Sequence, residues 1–264
     1  MKAYSRKQLM SYLAYLLITI LIFLLLYSLF SYYSLRSKYR TPQGNVIDVS
    51  PLTGEAMRAV IGSSPVYNVI LSEFSSIEDI DPKEPDIIYE SYNRDSQSLS
   101  YSYLVFNRSP MANEQIKVIE TLPLSHVPKF NFNTNASALA MYYKGNAEIA
   151  FIEYSTTASS SFIYKDGLYH RIKDSRPGDK VEASSPLTAA NIIIQIVKPQ
   201  EASDSSNDLG NIIVCTAGKS TAGKWIRHKD GSIYLLDYQG KLMELSKGKS
   251  WWLKVEEGIS IIIK

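Results

Sequence analysis

The chain has 264 residues, of which 45% are hydrophobic and 20% charged, a composition typical of a globular protein with a buried core. The formal net charge is only +2, and no basic run carries interleaved aromatic residues, so nucleic-acid binding is not expected. Cys215 is the single cysteine, which excludes an intramolecular disulfide and a cysteine-based metal cluster. Its apolar neighbours predict a small, buried side chain.

The N-terminal region contains a long apolar segment between a short basic N-terminus, residues 1–11, and a polar linker, residues 35–49. No charged residue lies between Lys7 and Arg36. At about 1.5 Å per helical residue, residues 12–34 are long enough to cross the roughly 30 Å hydrocarbon core of a bilayer. Tyrosines near both ends suit the two membrane interfaces. The segment predicts a single transmembrane helix in contact with the lipid bilayer.

A cleaved signal peptide is the alternative interpretation of this segment. Such peptides have an apolar region of about 7–15 residues followed by small residues at the cleavage site. Here the apolar region is longer, and no cleavage-site pattern follows it, so we expect an uncleaved signal anchor. Basic residues are equally frequent on both sides, and the short N-terminus favours a body exported outside the cell membrane.

Residues 50–145 predict a small α+β domain. Apolar alternation and turn-forming residues delimit its strands, and a proline or glycine follows each helical pattern. The predicted strands are Val66–Leu71, Ile87–Glu90 and Leu99–Phe106, and the predicted helices are Asn113–Thr121 and Ser137–Lys144.

Residues 146–264 predict a β-rich second domain. A turn at residues 165–167 indicates a hairpin, polar loops are expected at residues 173–185 and 200–208, and Asn191–Val197 is apolar on both faces, as in a central strand. The other predicted strands are Glu148–Tyr154, Ser161–Tyr164, Leu168–Ile172, Ile212–Thr216, Gly223–Arg227, Ser232–Leu236, Lys241–Leu245 and Trp251–Val255. The fold class is therefore α+β and strand-rich, ending in a sandwich or a partly rolled sheet.

Six short stretches resemble the YerB-like family, Firmicute envelope lipoproteins of unknown function. In chain order they are Ser50–Gly54, Glu84–Glu90, Asp166–Arg171, Leu187–Gln195, Gly223–Trp225 and Lys247–Trp252. The resemblance extends over most of residues 50–258 and implies two domains, the second β-rich, in a body that faces outward.

The chain departs from the family pattern at two places. A transmembrane helix stands where the family has a lipid-modified cysteine, so the anchoring purpose is kept by other means. The middle of the N-terminal domain is abbreviated, and residues 107–111 replace the family's Gly-Pro-Ile-Arg-Ser-type motif. This second departure puts in doubt whatever ligand or partner that motif serves.

The residues that could carry chemistry do not form a recognisable catalytic motif. Ala217–Ser220 lacks the first glycine of a phosphate-binding loop and is interpreted as a turn. His126, His170 and His228 have no second ligand at metal-binding spacing, and no serine lies in a nucleophile-elbow motif. The acidic residues 73–81 are typical of a solvated loop. The sequence predicts no catalytic residue, cofactor or metal.

Aromatic residues are the more informative set. Tyrosines on strands most often stabilise cross-strand pairs, but several on one face could also bind a glycan or a protein. Trp251 and Trp252 are consecutive on a strand and must point to opposite faces, so at most one is expected in a given core. The candidate binding face comprises Tyr89, Tyr101, Tyr103, Trp225, Trp251 and Trp252.

These features favour a non-enzymatic, membrane-anchored binding or scaffolding protein of the cell envelope, with an envelope protein or cell-wall glycan as its partner. One alternative is a hydrolase or transferase of cell-wall polymer, in which His126, Glu73 or a nearby serine would meet in one pocket. The other alternative is a structural subunit of a membrane complex.

Overall fold

The structure, a computed structural model, describes residues 19–20, 22–27, 46–61, 64–73, 75–172, 183–198 and 208–264. Residue contacts divide the chain into two compact units, Met1–Val46 and Ile47–Lys264. The first unit is helical at residues 19–20 and 22–27, where large apolar side chains such as Phe23 and Leu24 are exposed.

The predicted transmembrane helix at residues 12–34 lies mostly outside the described residues. Within the part of the chain that the structure describes, no helix is both long enough and apolar enough to cross a membrane. The anchor and its contact with the bilayer therefore stay predictions from the sequence.

The second unit is built almost entirely of strands. In chain order they are β1 (Val46–Val49), β2 (Ala56–Ile61), β3 (Val66–Leu71), β4 (Ile87–Asn93), β5 (Ser98–Phe106), β6 (Ile116–Leu122), β7 (Asn131–Asn133), β8 (Gly145–Asn146), β9 (Ile149–Glu153), β10 (Ser159–Lys165), β11 (Leu168–Ile172), β12 (Ala183–Ala189), β13 (Asn191–Val197), β14 (Leu209–Thr216), β15 (Lys219–Arg227), β16 (Ile233–Asp237), β17 (Glu244–Ser246), β18 (Ser250–Glu256) and β19 (Ser260–Ile263). One α-helix, α1 (Ala136–Tyr142), begins where the Asn135 side chain accepts a hydrogen bond from the Ala138 amide. The strand-rich α+β class is confirmed.

The largest sheet has the strand order β16-β15-β14-β13-β18-β4-β5-β3-β6, with β8 also paired to β15. Its centre is parallel: β18 lies between β13 and β4 and runs parallel to both. Strands from residues 50–145 and from residues 146–264 thus share one sheet. The predicted domain boundary does not separate two sheets.

A five-stranded sheet, in the order β12-β11-β10-β9-β19, covers one face of the large sheet. The core between them contains Trp251 and Ile192 from the large sheet and Phe162 and Tyr169 from the small one. The Phe162 ring meets Trp251 edge to face, with ring centroids 5.0 Å apart. The two sheets thus pack face to face across this core.

The opposite face of the large sheet carries a second core. Trp252, Ile193 and Leu104 pack there against Phe130, Phe132 and other residues of the loops and of the small parallel pair formed by β7 and β17. Consecutive residues of β18 therefore enter two different cores, as strand alternation requires. Residues 250–253 of β18 are therefore all buried, whereas Lys254 near its end is exposed.

Most strand predictions are confirmed, and β3, β11 and β13 have the predicted bounds. The predicted helix Ser137–Lys144 is confirmed as α1. The predicted helix at residues 113–121 is wrong, because Ile116–Leu122 forms an edge strand paired with β3. Four β-branched residues in this stretch favour an extended backbone. Residues 183–185, predicted in a loop, begin β12.

Candidate functional site

Five of the six aromatic residues in the predicted binding face are buried, and the sixth, Tyr89, is half-buried. Tyr101, Tyr103 and Trp251 lie in the core between the sheets, whereas Trp225 and Trp252 lie in the core on the other face. All five are at most 7% exposed. Tyr89 packs against the second core, 5.7 Å from the Trp252 ring. The five buried rings are inaccessible because the large sheet is covered on both faces.

A buried carboxylate, Glu90, occupies the core between the two sheets instead. Its side chain is fully buried, and three side chains donate hydrogen bonds to it. Tyr154 Oη lies 3.0 Å from Glu90 Oε1, and Ser160 Oγ also donates to Oε1. Trp251 Nε1 lies 3.1 Å from Oε2. The donors come from β10, β18 and the residue after β9, so the carboxylate joins both sheets.

Arg171 is the cation that accompanies this carboxylate. Its Nε lies 3.9 Å from Glu90 Oε2, and its side chain is 9% exposed. Its Nη2 donates to Tyr101 Oη at 3.2 Å and to Ser160 Oγ at 3.3 Å. The guanidinium carbon also lies 6.0 Å from the Tyr101 ring centroid and 5.9 Å from that of Trp251, within cation–π range.

Strand register places these groups together. Tyr101 lies directly opposite Glu90 in the pairing of β4 with β5, and Arg171 lies opposite Phe162 in the β10–β11 hairpin. The hairpin turns at Asp166 and Gly167, whose φ angles of 54° and 85° are those a two-residue turn of type I′ needs. The turn therefore sets the register that directs Arg171 inward.

Glu90 and Arg171 are the last residues of two of the stretches that carry the family resemblance. Trp251 belongs to a third. The sequence signal was therefore present, but as separate motifs whose contact depends on long-range strand pairing. Sequence reasoning did not single out either charged residue as a site residue.

Burial of the Glu90–Arg171 pair carries a desolvation cost. Isolated charges are costly to bury, and a buried ion pair is stable only when hydrogen bonds satisfy its remaining atoms. The Tyr154 hydroxyl shows the same environment, because burial, and then the nearby Glu90 carboxylate, raise its pKa well above the ordinary value. Tyr154 therefore stays protonated and remains a donor to Glu90.

A cleft of about 530 Å³ opens beside this pair, and Tyr101 and Arg171 are among its lining residues. Its volume falls in the range of small-molecule sites. Polar groups line much of the remaining wall, namely Ser76, Gln97, Ser98, Thr157 and Ser159. Apolar contacts come from Ile77, Leu99 and Ala158. This cleft is the candidate binding site.

A second charged cluster lies where the parallel strands begin. The buried Asp86 accepts hydrogen bonds from the Phe106 amide at 2.7 Å and from Arg108 Nη2 at 2.6 Å. Glu84 accepts from Tyr103 Oη at 2.5 Å. Burial raises the pKa of Asp86 above 3.8, although the Phe106 amide and Arg108 lower it. Arg108, from the segment that departs from the family pattern, thus pairs with a residue of a matching stretch.

The other residues considered in the sequence lie apart from the cleft. His126 is exposed on a 3₁₀ turn, with its Nδ1 3.3 Å from Ser125 Oγ, and Glu73 is exposed after β3. Neither lines this cleft or a second one of about 450 Å³ beside Phe132 and Glu244. The described residues hold no group of three or more metal-ligating side chains. Ala217 and Gly218 form the β14–β15 turn, as predicted.

Comparison with known proteins supports the resemblance in part. Residues 149–252 match the family model described as protein of unknown function (DUF3048), C-terminal domain. The fold is similar to that of the YerB protein from Bacillus subtilis, with a TM-score of 0.52 and 13% sequence identity over 81% of this chain and 99% of that chain. No curated protein is significantly similar in sequence to this chain. The match includes Arg171 and Trp251, but neither description names a ligand or an activity.

We predict that Arg171→Met lowers the free energy of unfolding by about 3–5 kcal/mol, because it leaves the Glu90 carboxylate buried without its cation. Urea denaturation of the full chain measures this change. Lys165→Met, at an exposed position of the same hairpin, is the matched control and is expected to stay within about 0.5 kcal/mol.

A double-mutant cycle with Glu90→Gln distinguishes a pairwise effect from simple loss of packing. If the pair is coupled, Arg171→Met costs less in the Glu90→Gln background than in the native one. Equal costs in both backgrounds would show that Arg171 stabilises the core independently of Glu90.

We also predict that Asp86 makes stability depend on pH. Because burial raises its pKa in the folded state, the folded protein binds this proton more tightly than the unfolded chain. The resulting stabilisation is present below pH 3.8 and is lost as the pH rises through the folded-state pKa. The difference in unfolding free energy between the native protein and Asp86→Asn should fall across that window.

Denaturant titrations at a series of pH values measure the Asp86 effect. Asp95→Asn, in the exposed β4–β5 turn, is the control and should change stability by no more than about 0.5 kcal/mol. A difference between native and Asp86→Asn that rises with pH would show that Arg108 more than compensates for burial.

Proposed function

We propose that this protein is a non-enzymatic binding module of the cell envelope, with its ligand in the cleft beside Arg171 and Tyr101. In this proposal residues 12–34 anchor the chain in the cell membrane, and the body Ile47–Lys264 lies outside the cytoplasm. The observation that carries the proposal is the cleft itself, a concave site with many polar groups above a fixed, buried ion pair.

The ion pair supports binding because it holds the cleft in one shape. Glu90 receives hydrogen bonds from three side chains, and through them it joins the two sheets. Arg171 is in turn oriented by Ser160 and Tyr101. A site that is formed before the ligand arrives avoids the entropic cost of ordering these side chains on binding.

The composition of the cleft also favours binding over catalysis. Among the described residues, its lining includes one carboxylate, Glu78, but no histidine, cysteine or lysine, the side chains that most often act as bases or activated nucleophiles. Ser76 lies at a cap, where its Oγ accepts from the Glu78 amide. The Tyr101 hydroxyl accepts a hydrogen bond from Arg171. The groups present are suited to hydrogen bonding with a polar ligand.

The outward orientation predicts that a cysteine on the body reacts with a membrane-impermeant maleimide in intact cells. Gln239, in the exposed turn after β16, is replaced by cysteine in a Cys215→Ala background. The native protein is the control: burial raises the pKa of its Cys215 thiol to about 12, so we expect it to react slowly even after lysis. Labelling only after lysis would place the body in the cytoplasm and end the envelope hypothesis.

The cleft hypothesis predicts that the full-length protein, in detergent, is retained by cell walls isolated from its native cells, and that Thr157→Trp abolishes retention. The indole would fill the cleft from its rim. Thr121→Trp, at an exposed position on the edge strand β6, changes the same residue type and should bind as the native protein does.

Thr157 and Thr121 are both exposed, so we expect both tryptophan variants to unfold at the same temperature as the native protein. The comparison is valid only if they do. Equal retention of the two variants would exclude the cleft as the ligand site. Chemical change in the wall polymer during incubation would instead favour the hydrolase or transferase alternative.

A further inference from the structure

We infer that the cleft takes a neutral, hydroxyl-rich saccharide rather than an anionic ligand. This inference rests on the proposed function and adds the chemical class of the ligand. The cleft contains a buried arginine, which by itself would indicate a carboxylate or phosphate site. The surroundings of Arg171 point to a different ligand.

The charge of Arg171 is compensated within the protein. Glu90 lies 3.9 Å from the guanidinium, and both side chains are at least nine-tenths buried. An anion entering the cleft would have to compete with Glu90 for the cation while it lost its own hydration. A neutral ligand meets no such competition and brings no charge that must be desolvated.

A second acidic residue reinforces this preference. Glu78, which is exposed, also lines this cleft and adds a carboxylate to its wall. An anionic ligand would approach a site where Glu78 repels it and Glu90 already compensates the arginine. Like-charge juxtaposition of this kind selects against the wrong partner.

The remaining wall has the two components that a sugar ring requires. Hydroxyl and amide side chains, namely Ser98, Ser159, Thr157 and Gln97, can donate or accept hydrogen bonds with sugar hydroxyls. Leu99 and Ala158, both half-buried, offer apolar area to the C–H faces of the sugar. Pockets of this kind combine apolar lining with a few placed polar groups.

The test compares retention of the full-length protein on three preparations of the same cell walls. The first is untreated, the second is protease-treated, and the third is protease-treated and then stripped of phosphodiester-linked polymers by hydrofluoric acid. We expect retention on all three to agree within roughly twofold, and to change by less than about twofold between low and high salt, because the interaction involves no net charge. Soluble neutral glycan fragments from the third preparation should compete with it.

Thr157→Trp and Thr121→Trp are measured in parallel on each preparation. Retention of the Thr121→Trp control should equal that of the native protein, and retention of Thr157→Trp should be at least about tenfold lower. Loss of retention after hydrofluoric acid, or a steep salt dependence, would show an anionic polymer and overturn the inference. Loss after protease would show a protein partner and overturn it equally.

Failure of the inference is distinguishable from failure of the proposed function. Retention on untreated walls that Thr157→Trp abolishes, but that disappears with the phosphodiester polymers, keeps the cleft as a binding site and rejects only the neutral ligand. Absence of retention on every preparation rejects both.

Discussion

The architecture depends on the burial of β18 on both of its faces. This strand lies between two parallel neighbours, and its two tryptophans enter separate cores. Burial stabilises the sheet but obliges each indole N–H to find an acceptor inside the protein. For Trp252 that acceptor is Gln195, 2.9 Å away, and for Trp251 it is Glu90. A carboxylate buried in the core needs a nearby cation to compensate its charge, and Arg171 is that cation. The candidate site therefore follows from the burial of the central strand.

Much of the fold could be predicted from the sequence because its signals are local. Turn residues and apolar alternation delimit β3 and β11, and the unbroken apolar run of β13 indicates a central strand. The sequence predicts a helix where the edge strand β6 forms, because the short polar and apolar pattern there fits both periods. Pairing with β3, a long-range contact, decides its conformation. The order of strands in the large sheet is likewise absent from any local pattern.

The candidate site was less predictable than the fold for a physical reason. Exposed binding aromatics and buried core aromatics are the same residue types, and only the covering of both sheet faces decides between them. Glu90 and Arg171 stood in the sequence as charged residues on strands, where solvent exposure is the usual outcome. Their contact requires the β10–β11 hairpin of the small sheet to pack against β4 of the large sheet. The sequence shows that both residues are charged and lie on strands, but it does not show that they are in contact.

The position of β18 in the sheet also governs the order in which the molecule can be completed. Residues 250–256 separate β13 from β4, so the two halves of the large sheet have no shared strand until this late segment has been synthesised. Contacts so distant in sequence form slowly and leave strand edges unpaired in the meantime. The large sheet therefore cannot close before β18 is available, and until then the edges of β13 and β4 that it will pair with are exposed to other chains.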